Sequence, residues 1–117
     1  MSDRPIAEEQ YCYLTTTGRA TGEPREIEIW FALLERTIYL LAGGGERANW
    51  VRNLRREPRA TLRIGHRELA VRAREPGPGP ESDRARRALF EKYSTPTSDL
   101  SRWRDHGLLV ALDVEAA

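Results

Sequence analysis

Two arginines frame a glycine turn in the stretch TTTGRATGEPR, Thr15 to Arg25. Three threonines lead in, Gly18 and Gly22 shape the turn and Pro24 closes it, and none of this requires Arg19 or Arg25. A planar guanidinium fork matches phosphate and carboxylate oxygens, and amides in a glycine turn can point at the same anion. The alternative is an exposed turn with solvated charges. A second stretch, GGGERANW from Gly43 to Trp50, follows one periodic segment and opens another. Three glycines let a ligand lie against the backbone, and a helix start beyond them offers free amides and a positive dipole end. It lacks the GK[ST] of a phosphate-binding P-loop and the spacing of a dinucleotide fingerprint. Here the alternative is a flexible linker with Asn49 as a helix cap.

Other reactive sets are missing. Cys12 sits in a strand-like run with no base beside it and reads as core. Ser82, Ser94, Ser98 and Ser101 lie in polar segments without a nucleophile-elbow context. One cysteine with His66 and His106 cannot build a zinc site, so no metal is expected. Any redox or transfer chemistry would therefore belong to a bound cofactor.

The elements that must position these residues follow from periodicity. At 117 residues the chain is the size of one domain, expected as a lead-in over 1–10 and a single domain over 11–117. YCYLTTT, rich in aromatic and β-branched residues, predicts a strand. REIEIWFALLE alternates, with Ile27, Ile29 and Phe31 on one face and Glu26, Glu28 and Trp30 on the other, and predicts one long strand. IYLLA is a third. ANWVRNLRRE changes period and predicts a short helix stopped by Pro58. ATLRI and RELAVRARE form a hairpin through Gly65-His66. PGPGP is a loop, and a helix capped by Ser82 or Asp83 runs to about Tyr93. A polar stretch leads past Pro96 and Trp103 to a last strand, GLLVALDV. Six strands and two short helices suit a mainly β fold, a small closed or partly closed barrel.

Charge is balanced at +1, with 19 basic and 18 acidic residues, but nine arginines crowd Arg47 to Arg74 against Glu57 and Glu68. No aromatic platform interleaves Arg52, Arg55, Arg56, Arg59 and Arg63, so nucleic acid is not the expected partner. No apolar run approaches a membrane span and no signal-peptide core precedes the domain. With a lone cysteine, this implies a cytoplasmic protein. Trp30, on the polar face of its strand, suggests a ligand or a subunit contact.

Together these motifs resemble a known family. LTTTGRATGEPR, a strand, and then YLLAGGGERANWVRNLRREPRATLRIG are similar to the deazaflavin-dependent nitroreductase and quinone reductase family over roughly Tyr11 to Gly65. The resemblance implies a six-stranded split β-barrel of the FMN-binding, pyridoxamine-phosphate-oxidase-like type. It implies the deazaflavin coenzyme F420, whose phosphate and oligoglutamate tail are anionic, with FMN as the alternative cofactor. Arg19, Thr21, Gly22 and Arg25 match the family's hairpin. Ala42, Gly43, Gly44, Gly45 and Arg47 match the loop near ring and phosphate, and Trp50 and Asn53 match the helix behind it. The activity implied is hydride transfer from reduced F420 to a small electrophilic substrate: a quinone, a nitroaromatic or an activated alkene. FMN-dependent turnover or non-catalytic carriage of deazaflavin are the alternatives. Tyr93 and Trp103 are the substrate-side candidates, and a homodimer through barrel strands, with Trp30 in contact, is a candidate assembly. Two departures stand out: the glycine loop is short, with Ala48 and Asn49 where the family often places a proline, and little chain precedes Tyr11.

Overall fold

Two strands separated by only two residues lie at opposite edges of the sheet. A computed structural model describes residues 5–115. It contains strands β1 (Cys12–Thr17), β2 (Pro24–Ile29), β3 (Ala32–Leu34), β4 (Thr37–Ala42), β5 (Arg59–Ile64), β6 (Arg67–Arg74) and β7 (Leu108–Val114). Its helices are α1 (Asn49–Arg56), α2 (Pro80–Tyr93) and α3 (Ser101–His106), with 3-10 turns at Ile6–Glu8 and Gly45–Arg47. The strands form one sheet in the order β2-β1-β5-β6-β7-β4-β3, antiparallel throughout. Laid flat, six inter-strand spacings would span roughly 29 Å. Yet the edge strands β2 and β3 are joined only by Trp30 and Phe31, a link reaching at most about 11 Å. The sheet has to curl until its edges meet, and it forms a split barrel.

Curling sorts the side chains. Leu14, Phe31, Ile38, Leu40, Leu62, Ile64, Val71, Val110 and Leu112 fill the interior, with Val51 and Leu54 of α1 closing one mouth. The alternate residues of β4 and β7, Tyr39, Leu41, Leu109 and Ala111, face outward and are covered by Ala85, Leu89 and Tyr93 of α2. No helix among the described residues is long and apolar enough to cross a membrane.

The predicted six strands are seven. The segment read as one strand from Arg25 to Glu35 keeps its alternation, with Ile27, Ile29, Phe31 and Leu33 packing inward and Trp30 and Leu34 outward. Its ladder, however, changes partner from β1 to β4 at Trp30-Phe31. Alternation reports which way a side chain faces, not which strand it pairs with. Two smaller differences concern helices. α2 begins at Pro80, whose missing N–H is no loss in a first turn, and not at a Ser82 or Asp83 cap. The polar stretch around Trp103 forms α3, with Asp99 accepting from the Ser101 N–H and bonding its hydroxyl. Arg86 donates to the Arg104 and Gly107 carbonyls at its far end.

The seam where the edges meet is tied down by α2. The Tyr93 hydroxyl accepts the Phe31 N–H at 2.9 Å and has the carbonyls of Gln10 (2.9 Å) and Phe31 (3.0 Å) within donating reach. Its ring stacks on Trp30 with centroids 4.2 Å apart. Lys92 donates to the Phe31 carbonyl at 3.0 Å, with its ammonium over the Phe31 ring. Tyr93→Phe strands a buried N–H, so it should destabilise the protein by about 1–3 kcal/mol in urea unfolding. An unchanged midpoint would remove the seam role.

A charged cluster pins α2 to the sheet elsewhere. Arg74 bonds Glu81 and Asp113, both at 2.6 Å, while Tyr39 donates to Glu81 and Thr37 to Asp113. The Arg74 bond, then that of Tyr39, pulls the Glu81 carboxyl from its ordinary 4.5 to about 2. Asp113 is lowered chiefly by Arg74 as well. A carboxylate with a depressed folded pKa stabilises fully above its ordinary value and loses that contribution as pH falls through the folded one. Unfolding midpoints should therefore drop between pH 4.5 and about 2, and Glu81→Gln should flatten that slope.

Candidate anion-binding groove

The β1–β2 turn and the first turn of α1 face each other across a groove of about 400 Å³. It is lined by Thr16, Gly18, Arg19, Ala20, Thr21 and Arg25 from the hairpin, by Glu26 and Ile27 from β2, and by Asn49, Trp50 and Asn53 from α1. The turn holds its shape through short backbone bonds, Gly18 N–H to Glu23 O and Gly22 N–H to Gly18 O, both 2.7 Å. A Cβ on Gly18 would stand 3.0 Å from the Glu23 oxygen, and Gly22 has a φ of +77°, so both positions favour glycine. Thr21 accepts the Glu23 N–H at 3.2 Å.

Helix α1 is placed by its inward residues. Val51 and Leu54 enter the barrel core, and Asn53, only 4% exposed, faces the hairpin between them. Its amide nitrogen donates to Thr16 Oγ1 at 3.1 Å, and its oxygen accepts from the Arg19 backbone and guanidinium at 3.2 and 2.8 Å. Arg19 also reaches Asn49 Oδ1 at 3.1 Å.

The groove presents donors for an anion from two sides, with Glu26 as its one acidic lining residue. The N–H groups of Asn49, Trp50 and Val51 precede the first intrahelical bond, and no side chain caps them. Asn49 itself is the first helical residue and its side chain turns to Arg19, so it is not the cap. Arg25, across the groove, has a single ion pair among the described residues, to Glu23 at 3.5 Å, and an ion pair so exposed is weak. Ile27 and Trp50 supply apolar surface between these donors.

Of the residues matched by resemblance, the groove unites Arg19, Thr21, Arg25, Trp50 and Asn53. Gly22 faces the opposite side of the hairpin, beside Thr17 and Arg59. Ala42 is buried at the end of β4, while Gly43, Gly44, Gly45 and Arg47 lie before α1 and outside the groove lining. Trp103 approaches the glycine loop, 3.9 Å from where a Gly43 Cβ would stand. Tyr93 is at the seam, where burial pushes its phenol up to about 12. Trp30 is half-buried, stacked on Tyr93 and edge-on to Trp103, so much of its ring is covered by its own chain. Burial likewise raises the Cys12 thiol to about 12, which leaves it protonated and inert at neutral pH. Sequence reasoning missed Thr16, Ala20, Glu26 and Ile27; a buried threonine paired with a helical asparagine 37 positions away leaves no local pattern. No group of three or more metal-ligating side chains occurs among the described residues.

A family model for F420H(2)-dependent quinone reductase matches residues 3–114. The chain belongs to this family. No curated protein matches it in sequence. Solved structures share its fold. An F420-H2 dependent reductase is 23% identical, with 91% of this chain and 94% of that one covered and a TM-score of 0.69. The heme storage protein of Vibrio cholerae is 15% identical, with 96% and 86% covered and a TM-score of 0.76. A candidate pyridoxamine 5′-phosphate oxidase from Listeria innocua is 15% identical, with 95% and 88% covered and a TM-score of 0.69. The quinone reductase family and the split barrel are thus common ground with the expectations from sequence.

Within this family fold, Asn53 is the residue on which the groove's two walls meet. Asn53→Ala should cost about 1–3 kcal/mol, because it orphans the buried Thr16 hydroxyl and the Arg19 N–H. Asn49→Ala, at an exposed site, should cost much less. Equal urea midpoints for the two variants would contradict this ranking.

Proposed function

We propose that the chain binds reduced F420 at the groove and passes a hydride to a small electrophilic acceptor, a quinone, nitroaromatic or activated alkene. The observation that carries this reading is the meeting of Arg25 with the uncapped first turn of α1, in a chain of the F420H(2)-dependent quinone reductase family. That donor set fits a phosphate, and the Ile27 and Trp50 surface between the donors fits an aromatic ring system. Bound F420 would supply the hydride. The chain's own residues would bind, orient and exclude water. Arg25 and Thr21 are proposed at the phosphate and tail, Arg19 and Gly22 in the turn that carries them, and Trp50 and Asn53 behind them. Ala42, Gly43, Gly44, Gly45 and Arg47 are proposed on the approach to α1, where the Arg47 side chain makes no hydrogen bond or ion pair among the described residues and is available to an anion. Trp103, beside Gly43, is the acceptor-side candidate; the Tyr93 hydroxyl is engaged with backbone.

The protein is proposed to work in the cytoplasm, in keeping with its single buried thiol. A homodimer through the outer sheet face is proposed as well. That face sets Glu26 and Glu28 of β2 near Arg63 of β5, an arrangement that a two-fold related copy could complement.

Parallel titrations with F420, FMN and FAD test the cofactor. F420 should bind, and Arg25→Ala should weaken it by about tenfold or more, as expected for loss of a charged hydrogen bond. Binding of FMN alone would replace this reading with a flavin one. Reduced F420 should then be oxidised by menadione; binding without turnover would indicate a carrier.

A further inference from the structure

The two hairpin arginines are not equivalent. Arg25 stands on β2 with its guanidinium open to the groove and one exposed neighbour, Glu23. Arg19 is committed to its own chain. Its Nη1 donates to Asn53 Oδ1 at 2.8 Å and to the Asn49 carbonyl at 3.4 Å, its Nη2 to Asn49 Oδ1 at 3.1 Å, and its backbone N–H to Asn53 Oδ1 at 3.2 Å. The acceptors are neutral and lie on successive turns of α1, so the planar fork reads helix geometry here and no counter-charge. Asn53 in turn is fixed to Thr16 in the barrel wall.

We infer that Arg19 is a positioning residue: it latches the glycine turn to α1 and sets the width of the groove, while charge recognition falls to Arg25 and the first-turn amides of α1. This divides a role that the motif alone assigns to both arginines. It rests on the F420 reading only for the identity of the ligand. A guanidinium bridging Asn49 and Asn53 uses several donors at fixed angles, which a lysine ammonium cannot reproduce. At Arg25 a point charge near a phosphate would retain part of the attraction.

The test compares two ligands, F420 and the deazaflavin alcohol lacking phosphate and tail, on folded protein with Arg19 or Arg25 replaced by Ala or Lys. Arg25→Ala should weaken F420 about tenfold or more and leave the alcohol unchanged, with Arg25→Lys restoring part of the loss. Arg19→Ala should weaken both ligands by the same factor, and Arg19→Lys should not rescue either. In ligand-free protein, Arg19→Ala should lower the urea midpoint, and adding Asn53→Ala should lower it less than Asn53→Ala does alone in the parent, since both cut one latch. A loss at Arg19→Ala confined to F420, or a ligand-free midpoint that does not move, would overturn the assignment. If neither deazaflavin binds, the cofactor reading fails, while the ligand-free cycle still decides whether the latch exists.

Discussion

The architecture depends on a two-residue covalent link. Trp30 and Phe31 join strands at opposite edges of a seven-stranded sheet, and this alone forces closure. Closure creates an interior for one set of alternating residues and an outer face for the other, which gives α2 its place. No ladder pairs β2 with β3 among the described residues, and side chains from α2 tie the seam: Tyr93 satisfies the Phe31 amide and Lys92 its carbonyl. A buried amide without such a partner would cost more than most single contacts contribute.

The groove is a by-product of the same closure. A curled sheet has two mouths, and α1 stoppers one of them with Val51 and Leu54. A helix that plugs a barrel presents its first turn to whatever borders the rim. Here the rim is the β1–β2 hairpin, so helix amides and hairpin arginines end up across a gap from each other. The gap is narrow because Gly18 permits backbone contact with Glu23 and Asn53 ties helix to hairpin.

Much of this was legible in the sequence, for physical reasons that differ by element. Alternation in the segment of β2 showed which residues face the core, and the period change at Trp50 marked α1. The hairpin motif named Arg19 and Arg25 as unusual. What periodicity could not carry was pairing: the residues from Ile27 to Leu34 keep their facing while the hydrogen-bond partner changes. Nor could it carry the division between the arginines, because the acceptors of Arg19 stand 30 and 34 residues away. Tyr93 looked like a pocket residue because its type suits one. Its hydroxyl accepts the Phe31 amide at the seam.

The arrangement of the indoles has an optical consequence. Of the three tryptophans, Trp50 alone borders the groove, while Trp30 and Trp103 share the aromatic cluster with Tyr93. Intrinsic fluorescence is thereby split into two spatially separate signals. One indole lies at the groove; the other two, set edge-on to each other, lie at the barrel seam. Replacing Trp30 and Trp103 would leave Trp50 as the sole indole, at the groove.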